Sequence, residues 1–72
     1  MITIASPIAG LVAAIVAAEG AAIEAGDTII IVESMKMEIP LTAPRDGVVR
    51  EVRVQPGSPV RAGQRVVVLE EA

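Results

Sequence analysis

Residues 48–55 read Val48-Val49-Arg50-Glu51-Val52-Arg53-Val54-Gln55. Val52 and Val54 alternate with Glu51, Arg53 and Gln55. A period of two, with valine on one side and charge on the other, is the pattern of a strand buried on one face. Arg50 breaks the alternation, and nothing in the sequence accounts for it.

Moving outward, this strand has a counterpart elsewhere in the chain. Residues 6–33 align with residues 43–70 without a gap, at a spacing of 37 residues. Pro7 matches Pro44, Gly10 matches Gly47, Val12 matches Val49 and Gly20 matches Gly57. Ala25-Gly26 matches Ala62-Gly63, and Glu33 matches Glu70. Two copies of one segment must share one architecture. That constraint decides the alanine-rich run at residues 11–18. Local propensity alone makes a helix there as plausible as not, because alanine and leucine are the best helix formers. The alignment makes the run a strand, with tertiary context overriding propensity, and places Leu11, Ala13, Ile15 and Ala17 on its inward face.

The same alignment orders the rest of the chain. Gly20 and Gly57 close the first strand of each copy, and Gly26 and Gly63 sit in A-G-D and A-G-Q turns. Residues 29–32 and 66–69 then read as short buried strands. The expected fold is all-β, a sandwich or barrel of short strands joined by tight turns, with two equivalent halves about a quasi-twofold axis.

Composition removes several functions. The chain has 72 residues, enough for one domain at most, with no room expected for a pocket of any size. It contains no cysteine and no histidine. A disulfide framework is therefore ruled out, along with the commonest metal ligand and general base. No metal site is expected, and the lack of cysteine fits a reducing, cytoplasmic setting. The net charge is −3, the arginines are scattered, and no aromatic residue is present, which argues against nucleic-acid binding. Residues 1–18 are apolar and uncharged, but they lack the positive n-region of a signal peptide. A membrane helix there would have to absorb Pro7 and Gly10 and end at Glu19 and Gly20, so no membrane association is expected.

Between the copies lies Glu33-Ser34-Met35-Lys36-Met37-Glu38. Quasi-symmetry puts this segment at one end of the domain and both termini at the other. Lys36 is the only lysine, all other basic residues being arginine. It is either a solvated turn residue or an amine set out to be modified. Methionine stands on both sides of it, where one of the two could instead cap the core. A lysine acting as a nucleophile or base needs burial or a cationic neighbour, and a hairpin tip supplies neither. The chain has no catalytic residue of its own on this reading.

Glu33-Ser34-Met35-Lys36-Met37 resembles the attachment motif of the biotinyl domains of biotin carboxyl carrier proteins, usually Glu-Ala-Met-Lys-Met. The resemblance extends over the chain through Pro7-x-x-Gly10, Gly26-Asp27, Ala43-Pro44-x-x-Gly47 and Val54-x-x-Gly57. It implies a flattened barrel of two four-stranded antiparallel sheets, forming a single domain over residues 1–72 from repeats 6–33 and 43–70 joined by the hairpin 34–37. It further implies that a biotin protein ligase joins biotin to the Lys36 ε-amine through an amide. Carboxyl groups would then pass from a biotin carboxylase to an acyl-CoA or keto acid at a carboxyltransferase. Lys36 would be the tether for the covalent biotin cofactor. Met35 and Met37 would be flanking recognition and positioning residues, and Glu33 and Ser34 part of the motif. The isolated domain would be monomeric. Ser34 stands where alanine is usual, and Gly20 follows its strand too directly for the protruding loop that some bacterial members insert. The closest resemblance is thus to the short, thumbless type. Two other readings stand beside this one. In the first, the chain is a lipoyl carrier of a 2-oxo acid dehydrogenase, although those domains typically place Asp before the lysine and Ala or Ser after it. In the second, it is an unmodified interaction domain.

Overall fold

The alanine-rich run, for which local propensity leaves a helix open, enters a strand that ends at Ile15. In the computed structural model, which describes all residues from 1 to 72, there are eight strands and no helix. They are β1 (Ile2–Ala5), β2 (Gly10–Ile15), β3 (Ala22–Ile23), β4 (Thr28–Ser34), β5 (Met37–Thr42), β6 (Gly47–Val52), β7 (Pro59–Val60) and β8 (Arg65–Glu71). They form two four-stranded sheets, ordered β1-β8-β6-β3 and β5-β4-β2-β7, and every pairing is antiparallel. This is the all-β, two-sheet architecture expected.

Adding 37 to the residue numbers carries one sheet's strand order onto the other's. The hydrogen bonds follow. Gly20 N–H donates to the Val49 carbonyl at 2.7 Å, and Gly57 N–H donates to the Val12 carbonyl at 2.8 Å. Val49 N–H reaches the Ala21 carbonyl as Val12 N–H reaches the Ser58 carbonyl, both at 2.9 Å. These bonds cross between copies, so each half completes the other's backbone pairing and leaves few polar groups unmet inside. The core lies between the sheets, where Val12, Ile29, Ile30, Val32, Val49, Val66, Val67 and Leu69 are almost or wholly inaccessible.

The first strand corrects the sequence reading. Leu11 is 51% exposed and Ala13 is exposed, whereas Val12 between them is buried. Ile15 and Ala17 do turn inward, packing against the core. The cause is a β-bulge. Val12 pairs with Val32 and Ala14 with Ile31, so Ala13 is an extra residue that shifts the phase of the strand. The second copy carries the same bulge: Val49 pairs with Leu69 and Glu51 with Val68, leaving Arg50 as the extra residue. This accounts for the broken alternation at Arg50.

Gly10 and Gly47 open the bulged strands for a steric reason. A Cβ on Gly10 would strike the Glu33 carbonyl oxygen, and one on Gly47 the Glu70 carbonyl oxygen. The strands can approach only where there is no side chain.

The molecule is elongated, about 34 Å by 17 Å by 17 Å. Strand β5 leaves the 34–37 hairpin and ends at Thr42, roughly 20 Å away at the usual rise of a strand. There, residues 43–46 turn the chain toward Gly47, which pairs with Glu71. Ile2 pairs with Leu69 on the other side of β8. Both termini therefore lie at the end of the molecule remote from the hairpin. No helix of the structure is long and apolar enough to cross a membrane.

Candidate functional site

Ser34 pairs with Met37, so the loop between β4 and β5 is the two residues Met35 and Lys36. Both have positive φ, 51° and 66°. Two consecutive left-handed residues in a two-residue hairpin make a type I′ turn, whose twist matches that of the flanking strands. Such turns normally take Asn-Gly. A side chain in the left-handed region costs roughly 1–2 kcal/mol per residue. Two large side chains are held there by the ladder below, in which Glu33 pairs with Glu38, Val32 with Ile39 and Ile31 with Pro40.

The turn projects its side chains into solvent. Met35 is 88% exposed, Met37 is 56% exposed, and Lys36 is exposed between them. Neither methionine caps the core. Ser34 is nearly buried at the base of the turn, and a small side chain suits that position. Lys36 forms no ion pair. The five residues singled out in the sequence thus occupy one hairpin. Sequence reasoning passed over a sixth, Glu38, as a site residue. Glu33 and Glu38 face each other across the strands, both exposed, with no basic partner. The hairpin's own symmetry about Met35-Lys36 could have signalled that pair.

The quasi-equivalent position in the other half differs. Glu70, the counterpart of Glu33, accepts a hydrogen bond from the Arg50 guanidinium. That bond holds the Glu70 carboxyl below the ordinary carboxylate range, and Glu70 in turn raises Arg50. The acids beside Lys36 are left without such a partner.

Two open depressions mark the surface, contrary to the expectation of none. One, of about 400 Å³, is lined by Val16, Ala18, Ala21, Ala22 and Asp27 among others. The second, of about 430 Å³, lies at the end holding the C-terminus, beside Arg45, Asp46 and Glu71. Neither contains a residue of the 33–38 hairpin. The site is therefore a protruding amine, with no cavity beside it. Its chemistry suits a group held through an amide: acylation would break no ion pair, and the side chain has open space to extend.

Comparison with known proteins gives the family of the chain. The family described as "Biotin-requiring enzyme", a biotin/lipoyl attachment domain, matches residues 2–69. The biotinylated protein TB7.3 homolog of Mycobacterium leprae is 42% identical over 55 residues, covering 76% of this chain and 78% of that protein. The biotin-dependent acyl-coenzyme A carboxylase alpha3 subunit of the same organism is 35% identical over 60 residues, which are 83% of this chain but 10% of that subunit. Among solved structures, a single-chain, multi-domain long-chain acyl-CoA carboxylase superposes with a TM-score of 0.93 at 32% identity, covering 99% of this chain and 7% of that one. The chain belongs to the biotin/lipoyl attachment family, as a non-catalytic carrier domain for covalently bound biotin of the kind found in biotin-dependent carboxylases. It spans about a tenth of the acyl-CoA carboxylase subunit it matches.

Proposed function

We propose that Lys36 is the biotin attachment residue and that residues 1–72 act as one carrier domain, with repeats 6–33 and 43–70 joined by the hairpin 34–37. The observation that carries this is the turn itself. The only lysine of the chain stands on a two-residue type I′ hairpin, exposed and unpaired, at the end opposite both termini. A biotin protein ligase forms the amide. Met35 and Met37, large and exposed, serve as the flanking recognition residues, while Glu33 and Ser34 set the base of the turn. Biotin, once attached, supplies a ureido nitrogen that can hold and release a carboxyl group.

The chain's own part is mechanical. It presents the tether away from its body and lets one monomeric domain visit a biotin carboxylase and then a carboxyltransferase acting on an acyl-CoA. A tether of this kind raises the effective concentration of the carried group at each site. Acyl-CoA is favoured as acceptor because the M. leprae subunit and the long-chain enzyme are both named for it. The setting is cytoplasmic, in keeping with a chain without cysteine.

The test uses the ligated chain, a biotin carboxylase, ATP and labelled bicarbonate. Label should become bound to the parent chain and not to Lys36→Arg. Equal labelling of both would overturn the assignment.

A further inference from the structure

The oxidisable side chains of this protein are few, and two of the three lie in one place. Cysteine, histidine, tryptophan and tyrosine are all absent, and methionine occurs three times. A two-electron oxidant such as a peroxide therefore meets thioether sulfur and no other reactive side chain. The core offers it nothing, because the 13 buried hydrophobic residues are all Val, Ile, Leu or Ala. Met1 is 78% exposed at the end remote from the hairpin. Met35 and Met37, at 88% and 56%, stand on either side of the only lysine.

The fold has no need of methionine at either hairpin position. Position 35 has a φ of 51°, where glycine or asparagine would sit with less strain. Position 37 opens β5, an edge strand of its sheet, and its side chain is not part of the core. What these two side chains offer is a surface chemistry. A thioether is apolar, unbranched and adaptable, and suits contact with an apolar partner surface. Its sulfoxide is polar and chiral. Taking the sulfoxide oxygen out of water without a hydrogen-bond donor costs free energy, so the same contact becomes unfavourable.

We propose that Met35 and Met37 form a modification site: a peroxide oxidises them to sulfoxides, and biotin ligation at Lys36 falls until the sulfoxides are reduced. The inference rests on the assignment of Lys36 as the attachment residue and of both methionines as residues the ligase contacts. In each oxidation a sulfur lone pair attacks one oxygen of hydrogen peroxide. The S–O bond forms as the O–O bond breaks, and the sulfur gives up two electrons. The second oxygen leaves as hydroxide and takes the proton from the transferred oxygen, giving water. A methionine sulfoxide reductase supplied with a dithiol reverses the step: the oxygen leaves as water and the dithiol becomes a disulfide. Accessibility sets the order, Met35 before Met37. The fold is untouched, because no core residue reacts.

In the test, the unligated chain is treated with hydrogen peroxide and the peroxide is removed before a biotin protein ligase, biotin and ATP are added. That order keeps the thioether of biotin and the ligase itself out of the oxidation. Peptide mass analysis should find one added oxygen on Met35 first and on Met37 later. The oxidised chain should be ligated with kcat/KM lowered about tenfold, and reductase treatment should restore the parent value. The double variant Met35→Leu, Met37→Leu still takes up oxygen at Met1, and its kcat/KM should be the same with and without peroxide. The reductase arm uses the parent sequence throughout, so it decides the question even where the leucine variant is a poor substrate. The urea midpoint of the parent should not move on oxidation, and a shift would contradict the surface role. If the parent carries both sulfoxides and is ligated as before, the oxidation proposal is overturned while the Lys36 assignment stands. A loss that the leucine variant shares, or that the reductase does not reverse, overturns it too. If the untreated parent takes up no biotin, the Lys36 assignment itself fails, and this proposal with it.

Discussion

The first half of the chain and the second share a backbone but differ in what they show to solvent. Hydrogen bonds, bulges and turn glycines recur 37 residues apart. Gly10 and Gly47 meet carbonyl oxygens in the same way. The outer surface follows no such rule: Arg50 with Glu70 in one half becomes Ala13 with an unpartnered Glu33 in the other. What repeats is what the fold demands. What differs is free to serve the one end of the molecule that carries the exposed amine.

The largest expected effect tests the shared part. Gly10→Ala and Gly47→Ala each force a Cβ against a backbone oxygen, and crowding of this kind costs about 1–3 kcal/mol. Urea unfolding should show similar losses for the two. A large loss at one position and none at the other would break the equivalence of the halves.

A smaller effect belongs to the 34–37 hairpin. Met35 is left-handed, and Met35→Gly should recover about 1 kcal/mol of the strain. In a domain of this size that corresponds to a rise in Tm of roughly 4–8 °C. An unchanged or lower Tm would mean that the turn is not strained at Met35.

The smallest effect separates the two acids. Glu70 is held below the ordinary carboxylate range by Arg50. A carboxyl lowered in the folded state contributes stability above its unfolded value and loses it as pH falls through the folded one. As pH falls from the ordinary carboxylate range through the lowered Glu70 value, the parent should therefore lose more stability than Glu70→Gln. Because the pair is exposed, the difference should be small and should shrink further in high salt. Identical acid limbs at low salt would remove the Arg50–Glu70 contact from the account.

The same comparison explains what could be read from the amino acids alone. Val52 and Val54 alternate with polar residues, and the alignment carries that strand onto an alanine run whose own propensity leaves helix and strand open. Lys36 stood out because no other lysine competes with it. The facing of Leu11 and Ala13 is hidden by the bulge, whose only trace in the sequence is the broken alternation at Arg50 in the other copy. Alanine marks it in one copy and arginine in the other, so neither residue type reveals an extra position. The left-handed turn was equally silent, since Met-Lys replaces the Asn-Gly that usually announces one. Both are backbone features imposed by the surrounding ladder.

On the proposal above, the exposed hairpin that joins the halves bears the carried group and the rest of the surface does not. Intact-mass analysis of the chain co-expressed with a biotin protein ligase tests it most directly. The parent should gain one biotinyl group in amide linkage, mapped by peptide analysis to Lys36, and Lys36→Arg should gain none. A parent without the added mass, or a Lys36→Arg chain that retains it, would contradict the account.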